Sequence, residues 1–135
     1  MSKRKRTTII IGVIAILLVI IAYFFFPITP CSSLKMTDIK EIQVFAAPPE
    51  QMVILSQEEI VKAVEYLQDI KVYQRGYTSN STTGQVVKFT IIKVDGTEIE
   101  ILIAGNTKIS INGTFYRTKY ASTEVLTSFA NDVLK

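Results

Sequence analysis

The chain has 135 residues, 48 % of them hydrophobic, with 15 Lys+Arg against 12 Asp+Glu, a single Cys and no His. Four of those cations, Lys3, Arg4, Lys5 and Arg6, fall in the first six residues, which leaves 11 cations against 12 acids in the rest. The net charge of +3 therefore reports a basic flank, and no nucleic-acid partner is expected. One Cys excludes an internal disulfide, and one Cys without His excludes a Cys–His dyad and a zinc cluster.

No charged residue occurs between Thr7 and Leu34. Thr7–Phe26 (TTIIIGVIAILLVIIAYFFF) is long enough, at about 1.5 Å per helical residue, to cross the roughly 30 Å hydrocarbon core of a bilayer. Inside lipid a helix satisfies its own backbone, so this β-branched run is expected to be helical until Pro27 and Pro30 end it. The positive-inside bias keeps residues 1–6 cytoplasmic and puts the remainder on the far side of the cell membrane, with the lipid bilayer as first partner. Tyr23 and Phe24–Phe26 suit the outer interface. A cleaved signal peptide would have a shorter apolar region and a small-x-small site, which Pro27-Ile28-Thr29-Pro30 does not supply. The other alternative is a lipoprotein with Cys31 lipidated, although Pro30 stands where a small Gly or Ala is usual. Gly12, Ala15 and Ala22 give a weak helix-pairing face without GxxxG.

Residues 27–40 read as an extended tether. Residues 41–135 read as one extracytoplasmic α+β domain, a small antiparallel sheet of about five strands with two helices packed on one face. Glu41–Ala46 alternates Ile42 and Val44 with polar neighbours and predicts a strand that Pro48-Pro49 stop. Met52–Leu55 is a short apolar stretch before Ser56-Gln57-Glu58-Glu59, a capping box. Ile60, Val61, Val64, Leu67 and Ile70 then recur at helical spacing and predict an amphipathic helix over Gln57–Ile70. Lys71–Tyr77 reads as a strand and Thr78–Gly84 as a polar loop. Gln85–Val94 and Thr97–Ile103 flank Asp95-Gly96, which predicts a hairpin with a type I′ turn. Thr107–Ile111 and Thr114–Thr118 repeat the device around Asn112-Gly113. Ser122 is placed to cap a last helix over Thr123–Leu134, with Val125, Leu126, Phe129, Val133 and Leu134 as its apolar stripe.

There is no His to serve as general base, no glycine-rich phosphate loop and no G-x-S-x-G, so neither catalysis nor a cofactor nor a metal is expected. Glu98 and Glu100 share a strand face, where alternation with Ile explains them as solvated residues. Aromatic residues group more suggestively. Tyr73 and Tyr77 flank Arg75 on one expected strand face, and Tyr116 and Tyr120 lie at and after the second hairpin. Tyr and Arg are enriched where proteins bind partners, so these five are the candidate ligand-binding residues, with core packing as the competing explanation. Asn80-Ser81-Thr82 and Asn112-Gly113-Thr114 match the glycosylation sequon.

The KRKR-flanked helix, SQEEIVKAVEYLQDI, KVYQRGY, KVDGTEIEILI and ISINGTFYR together resemble small membrane- or lipid-anchored proteins of Gram-positive bacteria that carry one extracytoplasmic domain of unknown function. The resemblance implies no activity and no site residues. The expected function is a tethered extracytoplasmic binding or accessory module that meets a protein or cell-envelope partner. The alternative is a structural or signalling subunit assembled through its anchor helix.

Overall fold

An apolar helix that meets the rest of the chain only at its C-terminal end comes first. The structure, a computed structural model, describes residues 2–75, 84–105 and 107–135. Helix α1 (Lys3–Phe25) has no buried residue, and its best 18-residue window has a mean hydropathy of 3.0. It is long and apolar enough to cross a membrane. It starts four residues before Thr7 because Ser2 caps it, accepting from the Lys5 N–H at 3.3 Å. The Thr7 and Thr8 hydroxyls donate to the Lys3 and Arg4 carbonyls at 2.9 Å, so their O–H donors are satisfied within the helix.

The segment after the helix is not a free tether. Ile28 and Val72 exchange two backbone hydrogen bonds of 2.9 Å. Cys31 and Leu34 are buried in the domain core, and the Gln68 side-chain amide donates to the Leu34 carbonyl. A single 3₁₀ turn, Met36–Asp38, then leads into the first strand. Two isolated apolar residues in a polar stretch have no periodicity, so the sequence does not reveal their burial.

The strands are β1 (Ile39–Ala47), β2 (Gln51–Ile54), β3 (Val72–Arg75), β4 (Val86–Lys93), β5 (Glu98–Ala104), β6 (Lys108–Ile111) and β7 (Thr114–Thr118). They form one seven-stranded sheet in the order β2-β1-β4-β5-β6-β7-β3, antiparallel throughout. The expectation of about five strands is too low. Met52 and Ile54 of β2 are exposed while Val53 packs against the core, so β2 carries apolar residues on both faces and its alternation is hidden.

Helix α2 (Gln57–Gln68) has the expected capping box. The Ser56 Oγ accepts from the Glu59 N–H at 3.3 Å and the Glu59 carboxylate accepts from the Ser56 N–H at 2.9 Å. Helix α3 (Tyr120–Val133) begins earlier than expected, with Lys119 at its N-cap and no side-chain cap bond. Ser122 is therefore inside the first turn and does not cap it. Ile60, Ala63, Val64 and Leu67 of α2 join Leu126, Phe129 and Ala130 of α3 over Ile42, Val44, Val87, Phe89, Ile91, Ile101 and Ile103 of the sheet. Phe129 ties the layers together, 6.3 Å from the Phe89 ring and 5.7 Å edge-on from Tyr66. The helix packing differs from the simple two-helix cover expected, because α2 also packs on the 3₁₀ turn at residues 36–38.

The two hairpins differ in their turns. Asn112 (φ 51) and Gly113 (φ 86) both take positive φ between Ile111 and Thr114, as a type I′ turn requires. Asn112 also accepts from the Glu100 N–H at 2.9 Å through its side chain, which locks the turn to β5. Asp95-Gly96 is not type I′, since only Gly96 (φ 90) is positive. Gly96 N–H donates to the Lys93 carbonyl at 3.0 Å and Lys93 N–H to the Thr97 carbonyl at 2.8 Å. This is a three-residue loop with glycine at the left-handed position.

Candidate functional site at the sheet edge beside the apolar helix

The Ile28–Val72 pairing brings the edge strand β3 to the end of α1. Between Tyr23 and Phe26 at the end of the apolar helix and Ile28, Val72 and Tyr73 of the domain lies a cleft of about 310 Å³. Tyr73, a candidate binding residue, is half-buried on its wall. The register sets Tyr73 opposite Arg117 of β7, and Arg117 opposite Lys108 of β6. The Lys119 ammonium stands 5.9 Å from the Tyr73 ring centroid, close enough for a cation–π contact. Lys71, Arg117 and Lys119 are exposed.

The other aromatic candidates divide. Tyr120 is 53 % exposed beside Lys119 and belongs to this edge. Tyr116 faces the other way and packs against the core, opposite Ile109, so it is not part of an aromatic platform. The register shifts between Tyr73 and Arg75, which puts Arg75 opposite Tyr116. A β-bulge of this kind inverts the face expected from simple alternation. Tyr77, the expected loop over residues 78–83 and the Asn80 sequon lie outside the described residues.

Sequence reasoning passed over Lys108, Arg117 and Lys119. The available signal was negative: no Asp or Glu occurs from Ile70 to Val94 or from Ile101 to Thr123. Those two stretches supply β3, β6 and β7, and with them Lys71, Arg75, Lys108, Arg117 and Lys119. The charged residues that β3, β6 and β7 contribute are thus all cations, with Asp69 just before them at the end of α2. Glu98 and Glu100 are exposed near the far hairpin, and Asp95 is there too. Bonds from the Thr97 hydroxyl and N–H hold the Asp95 carboxyl below its usual range.

Cys31, the candidate lipidation site, is 5 % exposed within the core. Burial pushes its thiol up to about 11, with the Lys93 charge opposing weakly. A larger groove of about 500 Å³ runs between α2 and α3, with Glu59, Lys62, Glu124 and Asp132 around Tyr66 and Phe129. Glu59 is engaged in the capping box and Asp132 pairs with Lys135 at 3.6 Å. Among the described residues, no three Cys, Asp or Glu side chains gather as a metal would require. Comparison of the chain with protein-family models, curated proteins and solved structures found no match.

Proposed function

We propose that the chain is a single-pass membrane protein whose α1 is retained, with residues 1–6 in the cytoplasm, and that its α+β domain is a non-enzymatic binding or accessory module on the extracytoplasmic side. The observation that carries this reading is the contrast between α1, none of which is buried, and a domain core that closes without it. An uncovered apolar helix of 23 residues has to be accommodated by lipid or another apolar partner. The basic cluster before it favours the cytoplasmic side for the N-terminus.

Retention of α1, as against cleavage and lipidation, is supported by the packing after it. Cutting before Cys31 would remove Ile28 and leave the Val72 N–H and C=O without their partners. It would also require an acyl chain on a sulfur that lies in the core. The test is alkaline carbonate extraction of membranes followed by intact mass of the full chain. The reading expects the protein in the pellet with Met1–Pro30 present or lacking only the initiator Met. A mature chain beginning at Cys31 with added acyl mass would replace it with a lipid anchor.

A further inference from the structure

We infer that the cationic edge formed by β3, β7 and β6 docks on anionic phospholipid headgroups of the leaflet in which α1 ends, so that the domain lies against the bilayer. The inference rests on the proposal that α1 spans a membrane, and adds a lipid partner and a surface to it. Its first support is distance. Ile28 follows the last residue of α1 by three positions, which is at most about 10 Å of extended chain. The headgroup layer on each side of a bilayer is about 5–8 Å thick. Val72, paired to Ile28, is therefore held in the headgroup layer or within a few ångströms of it, and β7 and β6 follow at about 4.8 Å per strand. Tyr73, Arg117 and Lys119 fall within about one Debye length, roughly 8–10 Å, of lipid phosphate.

The second support is charge. Lys71, Lys108, Arg117 and Lys119 come from the three strands and the short segments beside them, and no acid comes from these strands. The nearest acids in sequence, Asp69 and Glu124, belong to the ends of the helical layer. A protein ligand with an acidic surface would also be attracted, but it would have to displace the bilayer from an edge that the chain itself holds there. Tyr23 and Phe26 on the anchor side and Tyr73 on the domain side complete the site as aromatic residues suited to a membrane–water boundary.

Each cation near an anionic surface contributes about a fivefold bias, so losing three should shift the docked-to-undocked ratio by roughly a hundredfold. The sequence has no Trp, so Tyr120→Trp provides a single reporter beside Lys119. The full chain with this reporter is reconstituted in vesicles of phosphatidylcholine alone, or with phosphatidylglycerol, each carrying a headgroup nitroxide quencher. Quenching in excess of the phosphatidylcholine level is expected with phosphatidylglycerol. It should fall when salt is raised from about 0.1 to about 1 M, where the Debye length shrinks from roughly 10 to 3 Å. It should be lost in Lys71→Gln/Arg117→Gln/Lys119→Gln and kept in Lys88→Gln/Lys93→Gln. Salt and lipid composition test the edge without any substitution that could unfold it. Equal quenching in both lipids, or quenching untouched by the triple substitution, would overturn the proposal while leaving the anchor intact. Release of the chain from the vesicles by alkaline carbonate would instead remove the membrane span, and the docking with it.

Discussion

At pH 8 the Cys31 thiol should resist a soluble disulfide reagent far more than an ordinary cysteine does. A thiol with a pKa of about 11 is about 0.1 % thiolate at that pH, against roughly a quarter for a free cysteine near 8.5. The thiolate fraction alone slows reaction about 200-fold, and burial at 5 % exposure adds a further opening requirement. The assay follows thiol titration of the detergent-solubilised full chain, native and then unfolded in guanidinium. The same shift makes stability depend on pH. Burial keeps the folded thiol protonated, so its contribution is whole below the ordinary thiol range of about 8.5–9 and is lost as pH rises toward about 11. Two pH units correspond to about 2–3 kcal/mol at most. The stability gap between the wild type and Cys31→Ala should therefore shrink, or change sign, over that window. Native and unfolded rates within tenfold of each other would refute the burial of Cys31, and with it the packing of residues 27–38 on the domain.

Phe129→Ala removes the ring between Tyr66 and Phe89 and should cost about 3–5 kcal/mol, read as a melting-temperature drop of roughly 12–40 °C by circular dichroism. Tyr120→Ala, at an exposed position, should stay within about 0.5 kcal/mol, and similar losses for the two would contradict the core assignment. Gly113→Val forces a β-branched residue to φ 86 and should destabilise by at least about 1–2 kcal/mol, whereas Gly12→Val, with an ordinary helical φ and nothing within 4 Å of the new Cβ, should leave the domain's melting unchanged. Asp95 should titrate below 3.8 by carboxyl NMR, because Thr97 bonds favour its charged form. Thr97→Ala, which removes the hydroxyl donor, should raise that value. Its contribution to stability is present above the ordinary carboxylate range and disappears as pH falls through the lowered value.

Local chemistry made part of this fold readable. The α2 capping box needs only residues 56–59, and the type I′ turn needs only Asn112-Gly113, so both were visible without tertiary information. The long N-terminal helix was visible because residues 7–26 carry no charge and almost no polar side chain. What depended on distant partners was hidden. Cys31 and Leu34 look like linker residues until α2 and the sheet cover them. The β2 strand shows no alternation because its outward residues, Met52 and Ile54, are apolar as well. The Asp95-Gly96 turn differs from Asn112-Gly113 by one added loop residue, which only the hydrogen-bond pattern reveals. For the candidate site, alternation along KVYQRGY pointed to Tyr73 and Arg75, but the shift between them and the inward turn of Tyr116 follow from pairing with β7. The cationic character of the edge was present in the composition of two separate stretches, and the strand order was needed to see that they meet beside the anchor.

Topology is the claim on which the functional reading stands, and labelling with a membrane-impermeant maleimide tests it most directly. Ser2→Cys precedes α1 and Glu98→Cys is exposed on the β4–β5 hairpin, while native Cys31 is too buried to contribute quickly. In intact cells Glu98→Cys should label rapidly and Ser2→Cys not at all, with Ser2→Cys becoming reactive once the membrane is opened. Labelling of Ser2→Cys in intact cells while Glu98→Cys stays protected would contradict this topology, placing the domain in the cytoplasm.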